Sequence, residues 1–229
     1  MEKRIMGKLV VLVCALVVVA SATPITNGSF ETCTGCGTLP PPAGYINFGT
    51  GATNIDGWSV VVGNIDLVYK TFWNPADGDY SIDLNGLTSG GIQTTLSVLA
   101  GTPIQLSWYG GMDPNAYLVG AKGSVSGNLH IFDSGTGTAV LDQNVPFQIN
   151  YTASGSVVWQ LFTSGWITPG TDQITIAFSS LEPAAPAGSY GPLLDNVTYD
   201  VGNVPEPGTL SLLAGAGLVG LALLRGRKK

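Results

Sequence analysis

The stretch Gln173-Ile174-Thr175-Ile176-Ala177-Phe178-Ser179 alternates apolar with polar or small side chains, and this pattern decides the fold. A period of two places its isoleucines and its phenylalanine on the core face of a β-strand, and its threonine and last serine toward water. The segment Pro103–Tyr109 repeats the pattern, with Ile104, Leu106 and Trp108 on the core face. Two half-buried strands of this kind predict antiparallel sheets that cover a core on one side.

Further strands are predicted where β-branched and aromatic residues lie between turn signals such as Asp56-Gly57 and Asn85-Gly86. These segments are Trp58–Val62, Ile65–Tyr69, Tyr80–Leu84, Gly91–Val98, Asn128–Asp133, Val157–Thr163 and Leu193–Val201. About nine short strands with frequent turns predict an all-β fold, an antiparallel β-sandwich or jelly roll. The Gly-, Pro- and Ala-rich segments Thr34–Gly51 and Glu182–Pro192 are predicted to be long surface loops.

The charge of the central part of the chain is strongly acidic. Between residues 23 and 206 the basic residues are Lys70 and Lys122, and they stand against 14 acidic residues, which gives −12 with His130 neutral. Such a surface repels phosphate backbones, so we expect no nucleic-acid partner. It suits neutral ligands and divalent cations.

The N-terminal end has the features of an export signal. Lys3, Arg4 and Lys8 precede an apolar core from Leu9 to Ala20, and small residues follow at Ala20-Ser21-Ala22. This order predicts a secretory signal peptide over residues 1–22, handled by the Sec machinery and signal peptidase. An N-terminal membrane span that is never cleaved is the alternative.

The C-terminal end has three parts. Val204-Pro205-Glu206-Pro207-Gly208 precedes an uncharged apolar run, Thr209–Leu224, and Arg225-Gly226-Arg227-Lys228-Lys229 follows. The run is roughly long enough to cross a thin bilayer as a helix, and the basic residues should stay on the cytoplasmic side. We therefore predict a transmembrane helix over 209–224, which leaves residues 23–203 as one sandwich domain.

This tail resembles the PEP-CTERM sorting signal of Gram-negative bacteria, with Pro205, Glu206 and Pro207 as the sorting motif. The resemblance implies recognition by an exosortase, a membrane transpeptidase-like enzyme that removes the tail and passes the protein to the cell surface. The precursor would be anchored transiently in the inner membrane. A permanent C-terminal anchor is the alternative.

An ordered set of motifs carries a second resemblance. The motifs are Asn27-Gly28-Ser29-Phe30-Glu31, Ile55-Asp56-Gly57-Trp58, Gly63–Val68, Trp73, Asp77–Gly86, Gly91–Thr94 and Gly191-Pro192-Leu193-Leu194-Asp195-Asn196-Val197. In this order they resemble the choice-of-anchor C family of exported bacterial proteins. More distantly they are similar to galactose-binding-like jelly rolls, a group that includes many carbohydrate-binding modules.

The second resemblance implies one metal site. In galactose-binding-like modules the N-terminal motif lies near the C-terminal Asp-Asn-Val strand, and acidic residues there often hold a structural Ca²⁺. Glu31 and Asp195 are the matching positions, and carboxylates are suitable ligands for calcium. The alternative is that both carboxylates are solvated or accept hydrogen bonds from backbone N–H groups.

Asp77-Gly78-Asp79 also has two interpretations, because acidic residues around a glycine suit either a Ca²⁺ ligand pair or a tight turn between strands. The turn is the expected one.

Cys33 and Cys36 are the cysteines that remain after signal cleavage. A C-x-x-C spacing fits a redox pair or half of a zinc site, but no second ligand pair accompanies it in the sequence. Because the protein is exported to an oxidising compartment, we predict a disulfide that closes a Gly- and Pro-rich loop. Free or intermolecular thiols are the alternative.

Aromatic residues supply the candidate ligand site. Tyr69, Phe72 and Trp73 stand at the end of a predicted strand beside Asp77, where rings could stack on sugars while acids accept from hydroxyl groups. We assign Tyr69, Trp73 and Asp77 to this site, with packing of Trp73 under its own loop as the alternative. Trp58, Trp108, Trp159 and Trp166 are expected in the core, and Tyr45 is expected to reach solvent.

No catalytic motif emerges from the sequence. His130 is the single histidine and lies in a predicted strand, and the many acidic residues form no recognisable glycosidase pair. We therefore predict a non-enzymatic protein of the cell surface or extracellular matrix, structural or adhesive, or binding exopolysaccharide. A secreted polysaccharide hydrolase is the alternative.

Overall fold

The computed structural model describes residues 23–114, 123–135, 141–150, 156–183 and 190–202. Within these ranges the chain forms β-strands and no helix. The strands are β1 (Thr23–Pro24), β2 (Tyr45–Gly49), β3 (Ser59–Val62), β4 (Asn64–Tyr69), β5 (Tyr80–Asp83), β6 (Gly91–Ser97), β7 (Ile104–Met112), β8 (Ser124–Asp133), β9 (Asp142–Asn150), β10 (Gln160–Ile167), β11 (Gln173–Ser180) and β12 (Pro192–Val201).

The strands form two antiparallel sheets. The seven-stranded sheet has the order β10-β7-β12-β5-β4-β2, with β1 paired to β12, and the five-stranded sheet has the order β3-β6-β11-β8-β9. The chain crosses repeatedly between the sheets, and this connectivity makes the domain a jelly roll. The predicted all-β sandwich is therefore confirmed.

The core lies between the two sheets. Trp108 on β7 of the seven-stranded sheet is fully buried. Its ring meets Phe178 on β11 and Phe147 on β9 of the five-stranded sheet, with centroid distances of 5.5 Å in both pairs. The two stretches with period-two alternation thus form strands that bury the predicted apolar residues, and the structure adds that they lie in opposite sheets and face each other.

The edge strands differ from the prediction. Residues 34–51 were expected to be a loop, but β2 forms within them and pairs with β4 at one edge of the seven-stranded sheet. β9, which forms the edge of the five-stranded sheet beside β8, was not predicted. An edge strand buries less of its length, and it tolerates a proline such as Pro146, so its pattern is weaker.

Two side-chain expectations are wrong. Trp166 was expected in the core but is exposed on β10, the edge strand of the seven-stranded sheet. Thr175 was expected to face water but is buried, because β11 is a central strand and the paired side chains of Thr95 and Phe132 flank it.

Cys33 and Cys36 form a disulfide, as predicted. It closes the first turn of the segment that leads into β2, and Cys33 also makes an isolated antiparallel bridge with Ile55. The covalent link therefore stabilises a segment that contributes little regular structure of its own.

The predicted signal peptide, sorting motif and transmembrane helix lie outside the described residues. Among the residues that the structure does describe, no helix is long and apolar enough to cross a membrane.

Candidate functional site on the loop between β4 and β5

Residues 70–79, which we call the 70–79 loop, connect β4 to β5 and form the centre of the candidate site. The loop has a narrow base, because Lys70 N donates to Asp79 O at 2.8 Å and Phe72 N donates to Tyr69 O at 2.8 Å. An exposed ion pair between Lys70 Nζ and Asp79 Oδ1, 2.6 Å apart, spans the same base. Asp77-Gly78-Asp79 forms the returning side of this loop.

Glu31 holds the returning side. Its Oε1 accepts hydrogen bonds from Asp79 N and Tyr80 N, both at 2.9 Å. Gly78 has φ +65°, and a Cβ there would lie 2.3 Å from Glu31 Oε1. Glycine is therefore required at this position both for its backbone conformation and for the close approach of the carboxylate.

Asp195 holds the tip of the same loop from β12. Its Oδ2 accepts from Ala76 N at 2.7 Å and Asp77 N at 3.0 Å, while Oδ1 accepts from Asn196 N at 2.7 Å. The residue has no exposed surface. Burial raises the pKa of Asp195 to about 7, against the opposing effect of these backbone N–H donors.

The opening and closing motifs of the domain lie side by side, and this brings Glu31 and Asp195 to one loop. Gly28 O accepts from Val197 N at 2.8 Å, and a Cβ on Gly28 would lie 2.1 Å from Val197 O. Asn27 and Phe30 have φ values of 51° and 61°, so the segment turns sharply between them. The N-terminal motif thus lies against β12, in the arrangement that the resemblance implied.

Glu31 and Asp195 are also the two predicted calcium ligands. Both oxygens of Asp195, and Oε1 of Glu31, already accept backbone N–H groups. A calcium ion would need further oxygen ligands that converge with these carboxylates, so the calcium site stays a prediction. Among the described residues no cluster of three or more acidic, histidine or cysteine side chains could hold a metal ion. Hydrogen bonding to backbone N–H groups is the alternative that the sequence left open.

The predicted ligand residues all lie on or beside the 70–79 loop, but Trp73 does not reach the surface. Trp73 is buried, and its Nε1 donates to the buried Ser81 Oγ at 2.9 Å. It therefore packs under its own loop. Asp77 is exposed, and Tyr69 is half-buried with its ring 5.1 Å from that of Tyr80.

An exposed pair of rings, Tyr45 and Phe72, lies at the same place. Tyr45 is 41% exposed and Phe72 is 45% exposed. Their ring centroids are 5.6 Å apart with an interplanar angle of 73°. Phe72 also packs on Trp73 at 5.2 Å, so the exposed pair rests on a buried aromatic base.

Sequence reasoning missed this pair as a unit. It placed Tyr45 at the surface and Phe72 at a strand end, but it assigned Tyr45 to a loop. The pairing of β2 with β4 is what carries Tyr45 to Phe72, since Tyr45 lies opposite Val68 and Tyr69 N donates to Gly44 O at 2.7 Å.

Two other groups of titratable side chains lie elsewhere. His130 Nε2 is 2.6 Å from Asp142 Oδ1 on the outer face of the five-stranded sheet, and its ring is tilted by 35° against that of Phe132, with the centroids 4.8 Å apart. Asp83 is buried at the end of β5, and burial, followed by the nearby Asp113, raises its pKa well above the usual range. His130 therefore contacts one carboxylate and one aromatic ring on the outer face of the sheet.

The fold and the loop geometry define a single β-sandwich domain of the jelly-roll class. The chain belongs to the family described as "Protein of unknown function (DUF642)", which matches residues 23–200. The PEP-CTERM protein-sorting motif matches residues 203–228 and confirms the predicted sorting signal. The motif indicates an exported protein whose membrane-anchored precursor is sorted through its C-terminal end. The resemblance to choice-of-anchor C proteins stays a prediction.

One relative is Halomucin from Haloquadratum walsbyi, which is 29% identical over 199 residues. The match covers 83% of this chain but only 2% of that protein's length. Among solved structures, TmCBM61 in complex with β-1,4-galactotriose is 16% identical, with a TM-score of 0.45, covering 78% of this chain and 98% of that one. CBM35 from Paenibacillus barcinonensis is 18% identical, with a TM-score of 0.40, covering 69% and 99%.

Proposed function

We propose that this protein is sorted by an exosortase to the cell surface or extracellular matrix of a Gram-negative bacterium, where it binds neutral exopolysaccharide. The observation that carries the binding half is the exposed ring pair Tyr45 and Phe72, which the 70–79 loop and β2 hold in place. In this role the domain is a structural or adhesive component of the matrix.

The ring pair has the properties of a sugar-stacking surface. Both rings are partly exposed, and their T-shaped arrangement offers two differently oriented aromatic surfaces to a bent polysaccharide chain. Asp77 and the Lys70–Asp79 ion pair lie on the same loop and can accept from, or donate to, sugar hydroxyl groups. The strongly acidic domain favours an uncharged polymer over an anionic one.

The ordering of the loop supports the same role. Glu31 and Asp195 fix the backbone on either side of Gly78, and Trp159 Nε1 donates to Asn74 O at 2.9 Å. The rings are therefore held before any ligand binds, which lowers the entropic cost of binding.

The test is affinity electrophoresis of the secreted protein in gels that contain the exopolysaccharide of the producing bacterium. Phe72→Ala and Tyr45→Ala should each lose most of the retardation, because one stacked ring at about 1.4 kcal/mol corresponds to a roughly tenfold change in affinity. Trp166→Ala is the matched control, since it removes another exposed ring from a different edge of the same sheet. Equal retardation of Phe72→Ala, Tyr45→Ala and wild type would reject the site.

The same incubation distinguishes a binding protein from a hydrolase. Retention of the polysaccharide without new reducing ends supports binding, whereas a time-dependent rise in reducing ends that requires the protein would assign it a hydrolytic activity. Mass spectrometry of the protein from its native cell tests the sorting half, because an exosortase product lacks the residues that follow the Pro205–Pro207 motif.

A further inference from the structure

Both ends of the folded domain leave it at the same place. Thr23 pairs with Tyr199 and Pro24 with Thr198, so β1 begins beside the last residues of β12. The described chain ends at Gly202, three residues after Tyr199. The predicted signal peptide and the sorting tail therefore both extend from one end of the sandwich, which we call the exit end.

Two turns complete the exit end around residues 201–202. Val98 N donates to Asp172 O at 3.0 Å and Gly101 N to Pro169 O at 2.8 Å, so the turns after β6 and β10 lie together. Gly202 N donates to Pro103 O at 2.7 Å and joins the departing chain to the first of these turns. Backbone hydrogen bonds therefore hold the last described residues of the chain against the two turns.

This surface exposes large apolar side chains. Leu99 is 74% exposed, Trp166 is 55% exposed and Val201 is 40% exposed. Val201 and Ile167 both pair with Ile104 and share its face of the sheet, whereas Trp166, which pairs with Gln105, lies on the outer face, so Trp166 and Val201 flank the last rows of this sheet from its two sides. Leu99 and Val201 line a groove of about 370 Å³ together with Val98, Ile104 and Tyr199.

The sequence places this surface close to a membrane in the precursor. Thr209 begins the apolar run seven residues after Gly202. A fully extended chain of that length spans at most about 25 Å, so the exit end cannot lie farther than this from the start of the membrane segment.

We propose that the exit end rests on the lipid bilayer in the membrane-anchored precursor, with Leu99, Trp166 and Val201 at the headgroup boundary. Tryptophan is the side chain that most favours this interfacial layer. Asp172 and Asp200 also lie at the exit end, and their carboxylates keep the contact shallow. The contact fixes the orientation in which the sorting motif is presented at the membrane, and it does not depend on polysaccharide binding.

The experiment uses the uncleaved full-length chain, reconstituted in phosphatidylethanolamine–phosphatidylglycerol vesicles whose acyl chains are brominated near the headgroup. Bromine quenches tryptophan fluorescence only at short range. All five tryptophans lie at positions 58–166, outside the signal peptide and the tail. The contribution of Trp166, taken as wild type minus Trp166→Phe, should fall in brominated vesicles relative to unbrominated ones. Leu99→Asp should reduce this quenching, because it adds a further charge to the contact.

The control moves the exposed tryptophan to the opposite end of the domain. Leu87 is 74% exposed, and its N donates to Asn64 Oδ1 at 2.6 Å, near the ends of β4 and β5 that lie far from Val201. The double variant Trp166→Phe/Leu87→Trp should therefore show no bromine quenching. Two outcomes overturn the proposal: no quenching of Trp166, or equal quenching at position 87.

Discussion

Glu31 and Asp195 stand 164 positions apart in the chain, yet their carboxylates accept hydrogen bonds from the backbone of the same loop. Glu31 takes the N–H groups of Asp79 and Tyr80, and Asp195 takes those of Ala76 and Asp77. Because the N-terminal motif lies beside the first half of β12, the two acids connect the opening and closing motifs of the domain to one loop without a covalent link.

Removing Glu31 should destabilise the domain. Glu31→Ala leaves two backbone N–H groups without an acceptor, at a cost of about 1–3 kcal/mol in the free energy of unfolding. Glu31→Gln should lose less, since its amide oxygen can still accept. Urea unfolding measures both changes.

The matched control for Glu31 is Asp79→Ala, which removes a carboxylate from the same loop. Asp79 pairs only with the exposed Lys70 among the side-chain contacts described, and an exposed pair contributes about 0–1 kcal/mol. Equal losses in Asp79→Ala and Glu31→Ala would mean that the backbone hydrogen bonds of Glu31 do not stabilise the loop.

Calcium should leave the thermal stability unchanged. Both carboxylates already accept backbone N–H groups of the loop, so the loop is held in place without a cation. Differential scanning calorimetry in EDTA and in millimolar CaCl₂ should give the same Tm. A higher Tm in calcium that Glu31→Gln removes would instead establish the metal site that the family resemblance implies.

The sequence predicts the centre of this fold better than its edges. Alternation over residues 103–109 and 173–179 works because β7 and β11 bury a full face against each other. β2 and β9 bury little and carry Gly or Pro, so their patterns do not differ from those of loops.

The sequence predicted most residues of the candidate site, but it did not predict the contacts between them. The acids at 31 and 195 and the aromatics at 69–73 are visible in the sequence. Which atoms their side chains meet depends on the close contact of Gly28 with Val197 and on the β2–β4 pairing, and both are long-range contacts that no local pattern encodes.

Stability should decrease as the pH rises from about 4 toward neutral. Burial and then Asp113 raise the pKa of Asp83 above its ordinary value of 3.8, and burial raises the pKa of Asp66 and that of Asp195, the latter to about 7. Between the unfolded and folded pKa values the native state holds a proton that the unfolded state has released. The free energy of unfolding therefore falls by at most about 1.4 kcal/mol per pH unit for each group.

Asp83→Asn should flatten this dependence, because the asparagine cannot ionise and its oxygen can still accept from Asn85 N, as Asp83 Oδ1 does at 2.8 Å. Urea midpoints at several pH values between 4 and 8 measure the effect. A wild-type protein that gains stability over this range would contradict the raised pKa values.

Trp108 should tolerate replacement by phenylalanine but not by alanine. Its ring is buried among Phe147, Phe162 and Phe178, and Trp→Ala in such a core costs about 3–5 kcal/mol. Among the residues that the structure describes, its Nε1 has no hydrogen-bond acceptor. Trp108→Phe removes this buried unsatisfied donor, which offsets part of the loss of packing.

Trp58 is the matched control for Trp108, because it is equally buried but its Nε1 donates to Asn27 O at 3.1 Å. Trp58→Phe loses that hydrogen bond and leaves the Asn27 carbonyl with one partner fewer, so it should destabilise the domain by about 1 kcal/mol more than Trp108→Phe. Chemical denaturation of both variants measures the difference. A larger loss in the free energy of unfolding for Trp108→Phe than for Trp58→Phe would contradict this prediction. It would mean that the indole N–H of Trp108 has a hydrogen-bond acceptor in the folded protein.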